Sequence, residues 1–311
     1  MIMTEIIESY AGNTEETNRL RDLINYNLQK GKHVKVMLYE PAIRFQDKKN
    51  DWKTIIDFIN EFEEKPVSFY GCIVALRETQ CELNFTNDMF LCGHTLYETD
   101  ERCKKLLKKL QPIESTRSYF WDLLLGHSKP WKDRIYKIFN AHPVSHKTLH
   151  NYFKDDPSKG IWSGGYRPRR TTAETLDGNM NPFKDPVRHS DLIDIDVYNQ
   201  CYYNVAVETS HHQDFAVFNE RVAKPIMAKR PFVLYGSRHH LRAFRGLGFQ
   251  TFDDVIDESY DDIVDDELRF LKMCDSMLSL CEKDPVEVYN ALQKTLDHNK
   301  KHFLENNWVK V

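Results

Sequence analysis

The sequence predicts an α/β fold, a parallel sheet with helices between its strands, and three observations lead there. Amphipathic helical segments alternate with short apolar strands along most of the chain, the pattern of βαβ units. The run 204–237 reads in order as strand, polar loop, helix and strand. Finally, 311 residues with 41% hydrophobic content bury the core of one large domain or two ordinary ones.

Residues 14–30 place Leu20, Leu23, Ile24 and Leu28 at helical spacing and stop at Gly31, a C-terminal signal. The segment His33-Val34-Lys35-Val36-Met37-Leu38-Tyr39-Glu40-Pro41 reads as a strand closed by proline. A second amphipathic helix over 51–62 precedes strand-like 67–74, a further strand region over 84–97 and a lysine-rich helix over 100–110 that Pro112 ends. The domain boundary is placed there, giving an N-terminal domain over 1–113 and a C-terminal domain over 114–311. The second domain opens with the strand Tyr119-Phe120-Trp121-Asp122-Leu123-Leu124-Leu125-Gly126 and a helix over 131–139. Residues 155–190 are rich in Gly, Pro, Asn, Arg and Thr without a period, a long loop or insertion of the kind that is usually functional or mobile. The βαβ pattern resumes over 193–207, with a helix at 219–227, a strand at 231–235, a short helix at 239–245, an apolar run at 252–256 and terminal helices at 265–281 and 285–306.

Composition narrows the chemistry. A net charge of -4 argues against a surface that clings everywhere to nucleic acid. Seven cysteines, an odd count without a CxxC pair, suit free thiols in a reducing cytoplasm. Residues 1–18 carry neither secretory nor transit signal, and no stretch approaches the ~18 apolar residues of a membrane span, so a cytoplasmic protein is expected. Only 12 glycines are present and no GxGxxG or GKS loop, so phosphate binding falls to side chains and helix ends.

Those side chains cluster in 204–238. Glu208 leaves a strand at the end where ligands dock in open α/β sheets. Arg221 and Lys224 share one face of the helix that follows, one able to grip phosphate bidentately and the other a point charge. Glu220 suits ribose hydroxyls, since a carboxylate accepts hydrogen bonds. Ser237 and Arg238, after the next strand, complete a donor-binding set suited to a sugar nucleotide, with cations doing the work of a divalent ion. The plainer reading is a solvated helix face with ordinary i,i+3 and i,i+4 pairs.

The pattern from Val207 to Gly236 resembles the donor-binding segment of fucosyltransferase-like GT-B glycosyltransferases. It is similar also to a glycosyltransferase-like group of phages and marine microbes, matched here by Leu241, Phe244-Arg245, Gly248-Phe249-Gln250-Thr251-Phe252 and Asp257-Glu258-Ser259-Tyr260-Asp261. Asn219 stands where that group has Thr and Arg221 where it has Lys; the charge is kept, and Asn caps a helix as well as Thr does. A weaker similarity over 119–134 implies a phosphate contact at Arg134. The resemblance implies two Rossmann-like domains facing a cleft (GT-B type) and transfer of a sugar from a nucleotide-diphosphate donor to an acceptor hydroxyl, with no cofactor beyond that co-substrate and no metal. It places the general base on the N-terminal domain, where Glu40 and His94 are the candidates at strand ends.

Other features leave alternatives open. Trp162, Tyr166, Arg167, Arg169 and Arg170 combine stacking rings with a basic loop, so the acceptor is a glycan, a small molecule or DNA. A phage-type DNA-modifying glycosyltransferase acting on a hydroxylated base is therefore the second reading. A non-catalytic nucleotide-sugar-binding module is the third. The acidic run 257–262 suits either helix caps and turns or a ligand hydroxyl. His142, His146 and His150 would share a helix face, although Pro143 and the lack of an acidic ligand weaken a zinc reading.

Overall fold

The computed structural model describes residues 4–9, 14–38, 57–71, 73–75, 83–85, 104–105, 107–127, 130–153, 161–162, 193–208 and 215–306. The chain divides into two units, Met1–Asp88 with Asp214–Phe218 and Asn307–Val311, and Met89–Gln213 with Asn219–Asn306.

In the first unit, β1 (Thr4–Ser9), α1 (Thr14–Gln29), β2 (His33–Leu38), β3 (Val67–Gly71), β4 (Ile73–Ala75) and β5 (Leu83–Phe85) follow one another. A parallel sheet has the order β1-β2-β3-β5, while β4 pairs antiparallel with β10 (Phe215–Val217). Leu20 and Ile24 of α1 are buried with Leu28 packed against them, the i, i+4 stripe read from the sequence. Leu23, counted with that stripe, is exposed on the adjoining face. Gly31 ends the helix at φ +67°, where its N–H reaches Leu28 O at 2.9 Å, a left-handed turn that favours glycine. Phe58, Phe62 and Phe69 meet at centroid distances of 5.2 to 5.9 Å and close the core over Val34 and Val36.

The second unit contains β6 (Tyr119–His127), α2 (Pro130–Ala141), β7 (Thr148–Phe153), β8 (Ile161–Trp162), α3 (Ile195–Gln200), β9 (Cys201–Val207), α4 (Glu220–Ala228), β11 (Phe232–Tyr235), α5 (His240–Gly246), α6 (Asp266–Leu280) and α7 (Pro285–Glu305). Its sheet order is β11-β9-β6-β7-β8, parallel apart from the β7–β8 pair. The chain steps from β6 outward to β7, returns to the other side of β6 as β9, and steps outward again to β11. The strand order therefore reverses between β6 and β9, the place where open parallel sheets leave a crevice beyond their carboxyl ends.

Register fixes what each face carries. Trp121 lies beside Tyr203, Asp122 beside Asn204, and Phe232 beside Asn204. Side chains alternate, so Trp121, Tyr203 and Tyr235 share one face, where Trp121 Nε1 donates to Met277 O of α6 (3.0 Å) and Tyr235 meets the Phe270 ring edge-on at 5.0 Å. Asp122, Asn204 and Phe232 share the other, toward α4.

Residues 104–113, which the sequence puts with the first domain, are tied to the second unit. Asn199 binds Lys109 O (3.1 Å) and the Gln111 N–H (2.7 Å), and Arg230 donates to Gln111 O at 3.0 Å. Such bonds join residues about ninety or more apart, so local pattern gives no sign of them. Among the described residues no helix is long and apolar enough to cross a membrane.

Candidate functional site

The carboxyl ends of β9 and β11 form a buried polar corner. Glu208 follows β9, and its N–H donates to Tyr235 O at 2.8 Å, extending the ladder by one residue. Its side chain is fully buried and accepts from Asn219 Nδ2. Asn219 is also the N-cap of α4, with extended backbone and Oδ1 accepting from the Arg221 N–H at 2.9 Å. One amide thus starts the helix and grips the carboxylate. The segment between these two residues carries β10, which pairs in the first unit.

Glu220 opens α4 and is buried, with Oε2 bonded to no described residue. Arg221 and Lys224, in the same helix, are half-buried. Beyond β11, Gly236 lies against the His240 imidazole so closely that a Cβ would stand 2.1 Å from Nδ1. Ser237 follows, wholly buried, its Oγ likewise bonded to no described residue. The structure therefore gathers Glu208, Glu220, Arg221 and Ser237, from the donor-binding set, along one sheet edge.

No family model, curated protein or solved structure matches the chain.

The remaining candidates divide. Lys224 lies within electrostatic reach of Asp122 and Asp194, drawing both carboxyls down, against the burial that raises them. Arg134 is exposed on α2 and pairs with Glu267 of α6 at 3.2 Å, on the side of the sheet away from α4. Arg238 is exposed and its Nε donates to Asp262 O at 2.9 Å. Trp162 is in β8, the antiparallel edge strand, opposite Asn151. Glu40, His94, Tyr166, Arg167, Arg169 and Arg170 lie outside the described residues, as does most of the loop 155–190.

The acidic run serves the fold. Asp261 accepts from the N–H groups of Leu241 (3.0 Å) and Arg242 (3.2 Å), capping α5 from outside because His239, at the N-cap, provides no side-chain bond. Glu258 takes the Phe252 N–H (2.8 Å) and Arg245 Nη2 (2.7 Å). Asp257 binds the Ser259 N–H and pairs with Lys272, bonds that hold its carboxyl at about 2. The histidine trio does not share a helix face. Pro143 starts a 3₁₀ turn at 143–147, His142 precedes it as N-cap, and His150 is in β7, packed against the rings of Tyr136 and Phe139. Among the described residues no three His, Cys, Asp or Glu side chains group as metal ligands.

Two features escape a sequence reading. Asp122 and Asn204 interrupt apolar strands at matching register, and Asn204 Nδ2 (2.5 Å) and the Val205 N–H (3.0 Å) both donate to the Asp122 carboxyl. Burial pushes that carboxyl up to about 7, and these bonds oppose the rise. Arg269 is the other. Buried in α6, it donates to Gly236 O (3.2 Å) and Ile263 O (2.7 Å) and pairs with Asp266, tying the turn after β11 to the start of α6. One polar residue inside each apolar run was the only available signal for the first, and the second has none.

Proposed function

We propose that the second unit binds a nucleotide-diphosphate sugar at this edge and that the protein transfers the sugar to an acceptor hydroxyl. The observation that carries the reading is the polar corner at the carboxyl ends of β9 and β11, one strand over from the reversal of strand order between β6 and β9, in which Glu220 Oε2 and Ser237 Oγ are buried without a described partner. A buried polar atom left unpaired costs about 1–3 kcal/mol, and ribose or sugar hydroxyls are suitable partners for both. The side chains of Arg221 and Lys224 suit a diphosphate.

In the reaction the bond from the anomeric carbon to the diphosphate oxygen breaks, and the acceptor oxygen takes its place. The acceptor's proton passes to a base, and the leaving diphosphate carries the charge that these donors stabilise. The GT-B arrangement of two Rossmann-like domains belongs to this proposal, with Glu40 or His94 as the base and the cations in the place of a metal ion.

The test is a thermal-shift titration of the full chain with UDP-, GDP-, CDP- and dTDP-sugars and the free diphosphates. A ligand at about 100 times its Kd adds roughly 2.7 kcal/mol of stability, and Glu220→Gln and Arg221→Ala should each reduce the shift. Failure of all four nucleotides to shift the transition, or undiminished shifts in both variants, defeats the proposal.

A further inference from the structure

At the opposite end of the same strands, where α4 runs out and β11 begins, a cleft of about 210 Å³ opens inside the second unit. Leu107, Leu110, Ile113 and Met227 form an apolar wall, and Lys229, Arg230 and Lys300 supply charge. Arg230 is only 4% exposed. Its Nη2 donates to Gln111 O (3.0 Å), and its Nε has no partner among the described residues. Behind it Arg117, also buried, donates to the carbonyls of Tyr198 (2.7 Å), Gln111 (2.9 Å) and Pro112 (2.9 Å), and its Nε is likewise unmatched. Lys300 Nζ reaches Met227 O at 2.9 Å, and Lys229 pairs with Asp297.

The charges do not balance. Among the described residues the side chains of Arg117, Arg230 and Lys300 hydrogen-bond to carbonyl oxygens and to no carboxylate, Arg117 also lies over the Tyr202 ring, and Asp297, paired with Lys229 and within electrostatic reach of Lys300, is the one acid paired within the group. Burying a cation without a counter-ion is costly, and the cost shows in the guanidinium of Arg230, pushed down to about 10 by burial and by repulsion from Arg117. Burial and Lys229 lower Lys300 as well, against the smaller opposing pull of Asp297. Carbonyl bonds alone would explain a loop clamp, but they leave both Nε groups unused and do not lower the accumulated charge.

We infer that this cleft is a second ligand site, which binds a phosphoryl group carried by a small molecule through Arg230, Lys300 and Lys229. Arginine and lysine together suit a multiply charged oxyanion with several acceptor lone pairs. The volume falls below the ~300 Å³ at which pockets for drug-sized ligands begin, so it suits phosphate on a short carbon skeleton rather than a nucleotide. Because the cleft lies at the opposite end of the strands from Glu208, it stands or falls independently of the sugar-transfer reading.

Calorimetric titration of the full chain with inorganic phosphate, glycerol 3-phosphate and malonate, at ionic strength matched with chloride, tests it. Phosphate or glycerol 3-phosphate should bind, and Lys300→Met should weaken them about tenfold, equivalent to roughly 1.4 kcal/mol. Arg230→Gln should abolish binding; if that variant does not fold, Lys300→Met with Lys229→Met carries the test. Absence of phosphate binding, malonate binding as tight as phosphate, or wild-type affinity in Lys300→Met overturns the assignment.

Discussion

Replacing Asp122 with asparagine keeps the shape of the buried pair and removes its ionisation. In the folded chain Asp122 is 3% exposed, and its carboxyl titrates at about 7 because burial outweighs the bonds from Asn204 and Val205. Unfolded, an aspartate titrates near 4. A carboxyl that holds its proton more tightly in the folded state contributes stability at low pH, and that contribution is lost as pH rises from about 4 to about 7. At about 1.4 kcal/mol for each pKa unit, the loss is on the order of 4 kcal/mol. The side-chain amide introduced by Asp122→Asn would accept from the Val205 N–H with its oxygen and donate to a rotated Asn204 amide, so the pairing survives. Urea unfolding of both chains at pH 5 and pH 8 captures about two-thirds of that loss, roughly 2.7 kcal/mol, because about one pKa unit is already lost at pH 5. Glu258 and Asp261, raised by burial and not among the groups acting on Asp122, remain in both chains and cancel in the double difference, whereas Asp194, whose charge helps to raise Asp122, titrates with it. Asp122→Asn should gain stability relative to the parent on going from pH 5 to pH 8. An identical difference at the two pH values would refute the reasoning.

Gly236→Ala places a methyl 2.1 Å from His240 Nδ1, in a position where the fully buried ring has no room to withdraw. A loss of about 1–3 kcal/mol is expected, and an unchanged urea midpoint would contradict it. Asp261→Ala removes both side-chain bonds that cap α5 and should cost roughly 0.5–2 kcal/mol, read as a lower Tm, with Asp261→Asn recovering part; a neutral Ala variant would mean that the caps are not worth their bonds.

Helices were legible because their signals are local. Gly31 ends α1, Asn219 starts α4, Asp265 accepts from Leu268 N at the start of α6, and Asp284 precedes Pro285 in α7. Strand order was not legible, since β9 beside β6 depends on register between residues about eighty apart. The apolar run 252–256 illustrates a second limit: Phe252 and Ile256 are buried, but they are joined by a turn bond (Ile256 N to Phe252 O, 2.8 Å) and form no strand. At the candidate site, Glu208 and Glu220 were visible because charge at an element boundary stands out. A capping role for the acidic run was legible too, but not that Asp261 caps α5, because its partners lie about twenty residues earlier.

The strand Phe215–Val217 belongs to the first unit, although β9 and α4 on either side of it belong to the second. During synthesis the amino-terminal unit therefore waits for more than half of the polypeptide to emerge before its small ladder with β4 can close. No single cut yields both units whole, and a fragment ending at residue 88 would leave β4 without its partner and open to pairing with another chain.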